Sequence, residues 1–213
     1  MSVKLEWLGH ASFRISSGET VLYIDPWKLG TVENDATVVL VSHSHFDHYS
    51  EDDIARISGA QTRLIGSGDV IGEEKRGDVL RPGESISVGD VNVIGVAAYN
   101  PSKQFHPKGN NWLGFVIEIG GVRIYYAGDT DVTDEMKGLS DIDLALLPVG
   151  GTYTMDAEEA AGVAGQFKPK RAVPYHWGDI VGKRSDADRF SMLAGCEVTI
   201  LKPGESLVVG ESN

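Results

Sequence analysis

Three of the chain's six histidines fall between positions 43 and 48, directly after an unbroken apolar run. The run is Val38-Val39-Leu40-Val41, and Ser42-His43-Ser44-His45-Phe46-Asp47-His48 follows it. An all-apolar strand of this kind is buried on both faces. In an extended segment, side chains at i, i+2 and i+4 point the same way. His43, His45 and Asp47 are therefore expected to share one face at the strand end. His48 follows as the chain bends towards a helix, where Ser50 offers an N-cap and Glu51, Asp52 and Asp53 suit a positive helix N-terminus. Imidazole and carboxylate together suit zinc, manganese or iron. A solvated polar loop is the plain alternative, but a dense cluster directly after a buried strand argues against it.

The rest of the chain supplies layers around that strand. Turn signals at Gly9-His10 and Ser17-Gly18 separate expected strands at 4–8, 12–16 and 21–24, the last ending in Asp25-Pro26-Trp27. A further strand is expected at 37–41, a helix at 51–57, a strand at 63–65 and a helical turn near Ser67. Alternation on either side of Gly89-Asp90 predicts a hairpin over 86–93. Residues 115–119 and 122–126, joined by Gly120-Gly121, predict another. Strands follow at 144–147 (ended by Pro148) and 171–174, then at 197–201 and 206–209. Helices are expected at 156–166, where Asp156 and Glu159 have capping-box spacing, and at 186–194 after Ser185. Strand–helix alternation in both halves fits two stacked sheets with helices outside. No linker or repeat is visible, so one unit spanning 1–213 is expected. The longest irregular stretch, 99–111, is polar and of a length that is often functional.

Composition excludes some partners. A net charge of −12, with no block of lysine or arginine, argues against a broad nucleic-acid surface. No run is long enough for a membrane span. The first residues lack the apolar core of a signal peptide, and one cysteine, Cys196, permits no internal disulfide. A cytoplasmic protein acting on a small molecule, possible as a homo-oligomer, is the expectation. Cys196 is expected to be buried and inert.

Two more candidate ligands stand at strand ends. Tyr125-Tyr126-Ala127-Gly128-Asp129-Thr130 ends one strand in a carboxylate, and Val173-Pro174-Tyr175-His176-Trp177-Gly178 ends another in a histidine. Each alone is weak, since such residues are more often turn or structural groups. Beside the cluster they could complete a site for two divalent metals, with a carboxylate between them.

The order His43-x-His45-x-Asp47-His48, then Asp129, then His176 resembles the metallo-β-lactamase fold superfamily. Gly9-His10-Ala11-Ser12, Ile24-Asp25-Pro26 and 147–155 are similar to its metal-dependent hydrolase branch, the one resembling L-ascorbate-6-phosphate lactonase. The resemblance covers essentially the whole chain. It implies an α/β, four-layer αββα sandwich of two mixed sheets flanked by helices, with one or two divalent ions at one edge. Zinc is the first expectation, with manganese or iron as alternatives. One ion would be held by His43, His45 and a third histidine; the other by Asp47, His48 and His176, with Asp129 bridging. The sequence departs from the pattern at the third histidine, where Asn100 falls. Two readings stand. His106 folds back to complete the first site, or that site holds its ion weakly. The first is favoured because the site otherwise lacks an imidazole.

The chemistry this implies is hydrolysis of a small ester, lactone or phosphoester. A divalent metal lowers the pKa of bound water from about 15.7 towards about 7. Asp47 is the candidate for orienting the hydroxide. His10 is a second catalytic candidate, as a proton donor or substrate contact, or else a structural turn histidine. Asp25 either fixes an imidazole tautomer or is a turn aspartate before proline. Lys103, Lys108, Lys183 and Arg184 could receive an anionic group, and Trp27, Trp112 and Trp177 could wall the pocket. A phosphodiesterase or nuclease of the same superfamily is one alternative. A non-catalytic metal-binding regulator is another. Di-iron oxygen or nitric oxide reduction is disfavoured by His45 at a position where that branch carries glutamate.

Overall fold

Along residues 36–41, successive side chains enter two different cores. Val38 and Leu40 lie in the large central core, whereas Val39 and Val41 join Tyr23, Ile57, Val70 and Ile71 in a smaller one. The computed structural model describes residues 2–72 and 77–210. In chain order it has β1 (Val3–Gly9), β2 (Ser12–Ser17), β3 (Thr20–Ile24), β4 (Ala36–Val41), α1 (Glu51–Ile57), β5 (Ser58–Gly66), α2 (Gly68–Ile71), β6 (Asp78–Val79), β7 (Ser85–Val88) and β8 (Val91–Ala97). Then come β9 (Leu113–Ile119), β10 (Val122–Tyr126), α3 (Asp134–Lys137), β11 (Leu144–Pro148), α4 (Ala157–Phe167), β12 (Arg171–Tyr175), α5 (Arg184–Leu193), β13 (Glu197–Val198) and β14 (Ser206–Val209).

The strands form two mixed sheets, ordered β14-β1-β2-β3-β4-β5-β6 and β13-β12-β11-β10-β9-β8-β7. Their inner faces share one core. Phe13 of the first sheet meets Tyr126 and Tyr175 of the second, at ring centroids 6.1 and 5.6 Å apart. The smaller core lies between the first sheet and α1 and α2. On the other side, Tyr125 turns away from Tyr126 to meet Phe167 of α4. Two mixed sheets flanked by helices therefore form the layered architecture expected.

The topology gathers the strand ends at one edge. β3, β4 and β5 run parallel, and so do β10, β11 and β12. β1 and β8 share these directions, because each is separated from β3 or β10 by one antiparallel neighbour. Loops leaving the carboxyl ends of parallel strands are where such sheets build ligand sites.

Several local expectations shift. β5 starts at Ser58, directly after α1, and is far longer than 63–65. Pro148 is the last residue of β11, and Pro174 lies one residue before the end of β12. β13 pairs with β12 only at Arg171 and Ala172, so the N–H that Pro174 lacks removes no bond there. β13 itself stops at Val198. α5 begins at Arg184, and its orphan N-terminus is met by Asp186, whose Oδ2 accepts the Lys183 N–H at 2.7 Å. Cys196 is half-buried rather than buried, and that partial burial raises its thiol above the ordinary value.

Candidate metal centre

Nine residues that follow strands meet at the shared edge. His10 sits in the β1–β2 turn, Asp25 follows β3, and His43 to His48 follow β4. His106 lies in the loop after β8, Asp129 follows β10 and His176 follows β12. Backbone geometry there is unusual. His10, Asp25 and His176 all have left-handed φ, at 46°, 44° and 62°. Each such non-glycine residue stores on the order of 1–3 kcal/mol, which the surrounding packing must hold. Gly128 is needed just before Asp129. Its φ is 69°, and a Cβ there would run into the Leu113 carbonyl oxygen.

The expected common face for His43, His45 and Asp47 does not form. The strand ends at Val41, and 45–48 close a turn in which the His48 and Tyr49 N–H groups donate to the His45 carbonyl, both at 3.0 Å. The turn swings Asp47 away from the two histidines. Two groups result. His43, His45 and His106 form one, and His10, Asp47, His48 and His176 the other; within each, one ligand atom per residue lies within 4.8 Å of the rest. Asp129 stands between them. Its Oδ1 is 3.2 Å from His48 Nε2, and its Oδ2 is 3.2 Å from His176 Nε2 and 3.4 Å from His106 Nε2.

The donor set fits divalent cations. The Nε2 atoms of His43, His48, His106 and His176 are buried and have no hydrogen bond, and Asp129 Oδ1 is in the same state. Buried polar atoms are nearly always satisfied, so five orphans converging on one place call for a ligand. Three of the opposite ring nitrogens are held. His43 Nδ1 meets Ser42 Oγ at 2.9 Å, His48 Nδ1 meets Asp25 Oδ2 at 2.7 Å, and His106 Nδ1 meets Asn100 Oδ1 at 2.8 Å. This is how metal-binding imidazoles are commonly oriented. Burial pushes the His43 imidazole well below its ordinary value, leaving a neutral lone pair. Burial would raise the Asp129 carboxyl, but His176, His48 and His106 outweigh it and hold it well below the usual range. Burial would also lower His48, yet Asp129 and Asp25 on either side of it raise it well above.

Asn100 proves to be a peg rather than a defect. Its Oδ1 accepts the His106 N–H at 3.0 Å, its own N–H donates to the His106 carbonyl at 2.8 Å, and its Nδ2 donates to the Tyr153 carbonyl at 3.0 Å. The loop after β8 thereby folds back and puts His106 beside His43 and His45. His106→Ala is expected to lower bound metal by one equivalent, read by elemental analysis; an unchanged ratio would remove His106 from the ligand set.

Asp25 is no ordinary turn residue. It is fully buried and accepts from Ser42 N–H, Ser42 Oγ, Tyr126 Oη and His48 Nδ1 at 2.7, 2.6, 2.6 and 2.7 Å. His10 Nε2 lies 3.0 Å from Asp47 Oδ2. Burial alone would raise Asp47, but the bond from His10 and the field of His48 outweigh it and hold it below the ordinary range. Trp112 packs against His43 and His45, with centroids at 4.8 and 4.7 Å. Its Nε1 donates to Asp69, which also accepts from Ser44 and Ser67. The sequence reading missed Asp69, Ser42 and Tyr126. Only long-range contact reveals them, except that Ser42 stands beside His43.

Three of the four loop cations are engaged away from the site. Lys103 donates to Asp131 and the Thr154 carbonyl, both at 2.6 Å. Lys108 is engaged by Glu135 and Tyr99, and Arg184 by Asp188. Lys103→Ala is therefore expected to cost about 1–3 kcal/mol of stability, seen in a denaturant melt, with KM unchanged. A raised KM would return Lys103 to the substrate. Over these candidate ligands lies a cavity of about 270 Å3, lined by His45, Asp47, His106 and Asp129 and rimmed by Phe46, Phe105, Tyr153 and Ile180.

Comparison with known proteins gives the family. The profile of the Beta-lactamase superfamily domain matches residues 4–176. UPF0173 metal-dependent hydrolases from Thermococcus onnurineus strain NA1 and Pyrococcus horikoshii are 36% and 35% identical, covering 96% of this chain and 99% of each relative. Among solved structures, a candidate metal-dependent hydrolase from Parabacteroides distasonis superposes with a TM-score of 0.85 at 30% identity, covering 93% of this chain and 92% of that one. Igni18, a metallo hydrolase from Ignicoccus hospitalis, shares the fold at a TM-score of 0.81 and 23% identity over the whole of both chains. No helix among the described residues is long and apolar enough to cross a membrane. The chain belongs to the beta-lactamase superfamily, among its UPF0173 metal-dependent hydrolases.

Proposed function

We propose that this metal-dependent hydrolase acts on a small uncharged ester or lactone. The observation that carries this is the convergence of orphaned imidazole nitrogens and Asp129 beneath a cavity whose rim is apolar. Among the described residues no lysine or arginine lines that cavity, so a phosphoester has no side-chain cation to meet it. His43, His45 and His106 would hold one ion, Asp47, His48 and His176 the other, with Asp129 facing both. Ions bound there, zinc first with manganese or iron as alternatives, would supply an acidified water and polarise the carbonyl under attack.

The chain's own groups prepare that attack. Asp47 is an ionised carboxylate with one oxygen held by His10, so its orientation is fixed. His10 acts through Asp47 and is a positioning residue in this arrangement. Phe46, Phe105, Tyr153 and Ile180 exclude water from the reacting group and accept the apolar part of the substrate. Preorganised charge in such a walled site is worth more than in water.

A panel of uncharged esters, lactones and phosphodiesters tests the proposal on protein of known metal content. Ester or lactone turnover is expected to vanish with a chelator and return on adding zinc or manganese, and His43→Ala is expected to abolish it. Cleavage of bis(p-nitrophenyl) phosphate with no ester or lactone turnover would replace this reading with the phosphodiesterase one.

A further inference from the structure

A second chamber opens on the far side of His10. It measures about 340 Å3 and is walled by Trp7, Trp27, Trp177, Leu8 and Pro203. Trp7 and Trp177 are in ring contact at 4.9 Å, and Trp27 reaches His10 at 5.3 Å. The indole N–H groups of Trp7 and Trp177 are spent on the backbone carbonyls of His10 and Pro174. What these two rings can present to the chamber is therefore apolar.

The two chambers adjoin. His10 contributes to the tryptophan chamber, while its Nε2 reaches Asp47, which lines the chamber over the metal residues. Trp27 of one touches Phe46 of the other, at centroids 6.0 Å apart. On the facing loop, Asp179 belongs to one and Ile180 to the other. The scissile group would thus sit over the boundary, with room on both sides. Either volume alone is at or below the small end of ligand sites, about 300–1,000 Å3, and together they are well within it.

Charge narrows the occupant. The tryptophan chamber carries one cation and one anion, Lys28 and Asp179, paired at 2.9 Å across its rim. Lys28 also lies over the Trp27 ring, 4.3 Å from its centroid. An anionic group entering there would meet Asp179 as well as Lys28. A flat uncharged ring meets indole faces, where offset or edge-on aromatic contact is favourable.

We propose that the tryptophan chamber is a second subsite, which takes an uncharged aromatic group attached to the ester or lactone. Its place relative to the scissile bond rests on the function proposed above; binding of the ring does not.

The probe is 2-naphthol, titrated into metal-loaded protein by calorimetry and by nuclear magnetic resonance of the four tryptophan indole N–H signals. Saturable binding is expected, with shifts at Trp7, Trp27 and Trp177 and little at Trp112. Trp27→Ala is expected to raise Kd at least tenfold, Trp27→Phe to stay within threefold, and naphthalene-2-sulfonate to bind more weakly than 2-naphthol. In turnover, the kcat/KM preference for 2-naphthyl acetate over ethyl acetate is expected to fall at least tenfold in Trp27→Ala. The subsite is overturned by any of three results: no saturable binding, shifts confined to Trp112, or a sulfonate that binds more tightly. Should no ester be turned over, hydrolysis of esters fails as a reading, and the indole shifts in wild-type protein still decide the chamber.

Discussion

Asp129→Ala is expected to give a protein that holds less than half the wild-type complement of metal and hydrolyses its substrate at least about 100-fold more slowly. Substituting a residue that only orients a ligand already costs about 10–100-fold in metal affinity or activity, and Asp129 stands closer than that. Among the described residues it is the carboxylate within reach of both groups, 3.2 Å from His48 and His176 and 3.4 Å from His106. It is 4% exposed, so no water of the bulk replaces it. Its charge balances several imidazoles against burial, a balance lost in alanine. Asp129→Asn keeps the shape and one carbonyl oxygen but not the charge, and should lose metal nearly as fully. Elemental analysis and steady-state rates on both variants check this. Full metal occupancy with full turnover in Asp129→Asn would show that the two groups do not share this carboxylate.

The layered sheets were legible because apolar runs such as 38–41 and 144–147 need burial on both faces, and because capping residues such as Ser50 and Asp156 mark helix starts locally. The candidate metal ligands were legible as residue types at strand ends. Their grouping was not. Period-two alternation put Asp47 with His43 and His45, but alternation holds only while the chain is extended, and a turn at 45–48 breaks it. Asn100 looked like a lost ligand because position along a strand was the only guide. Its role as a peg depends on a six-residue return of the loop that no local pattern encodes. Lys103 looked available for substrate because sequence cannot show that Asp131 and the Thr154 carbonyl are within reach.

The left-handed backbones at His10, Asp25 and His176 belong to the same class of hidden feature. Each lies one residue past a strand end or within a tight turn, and each aims a side chain back across the sheet edge. None is glycine, the residue that adopts this conformation without strain. The strain is tolerated because each is buried and tied: His10 through Asp47, Asp25 through four donors, and His176 through the bond from its backbone N–H to the His10 carbonyl at 3.2 Å.

Asp25→Ala is therefore expected to weaken both fold and site. It leaves Ser42 N–H, Ser42 Oγ, Tyr126 Oη and His48 Nδ1 without their acceptor inside the core. Each orphaned donor costs on the order of 1–3 kcal/mol, and with some relaxation the total should be about 3–5 kcal/mol. For a chain of this length that is a fall in Tm of about 6–20 °C. His48 would lose the partner that orients it, and metal affinity should drop about 10–100-fold. Two companion variants separate the causes. Asp25→Asn tolerates the left-handed backbone better than alanine and keeps one acceptor, so it should retain part of the stability. Tyr126→Phe removes one of the four donors together with its need for a partner; it should cost about 1 kcal/mol and leave metal affinity unchanged. If Asp25→Ala lost stability but held metal as tightly as wild type, Asp25 would be a buried hub of the fold alone. The orientation of His48 would then have to come from its packing against His43, whose ring centroid is 4.2 Å away.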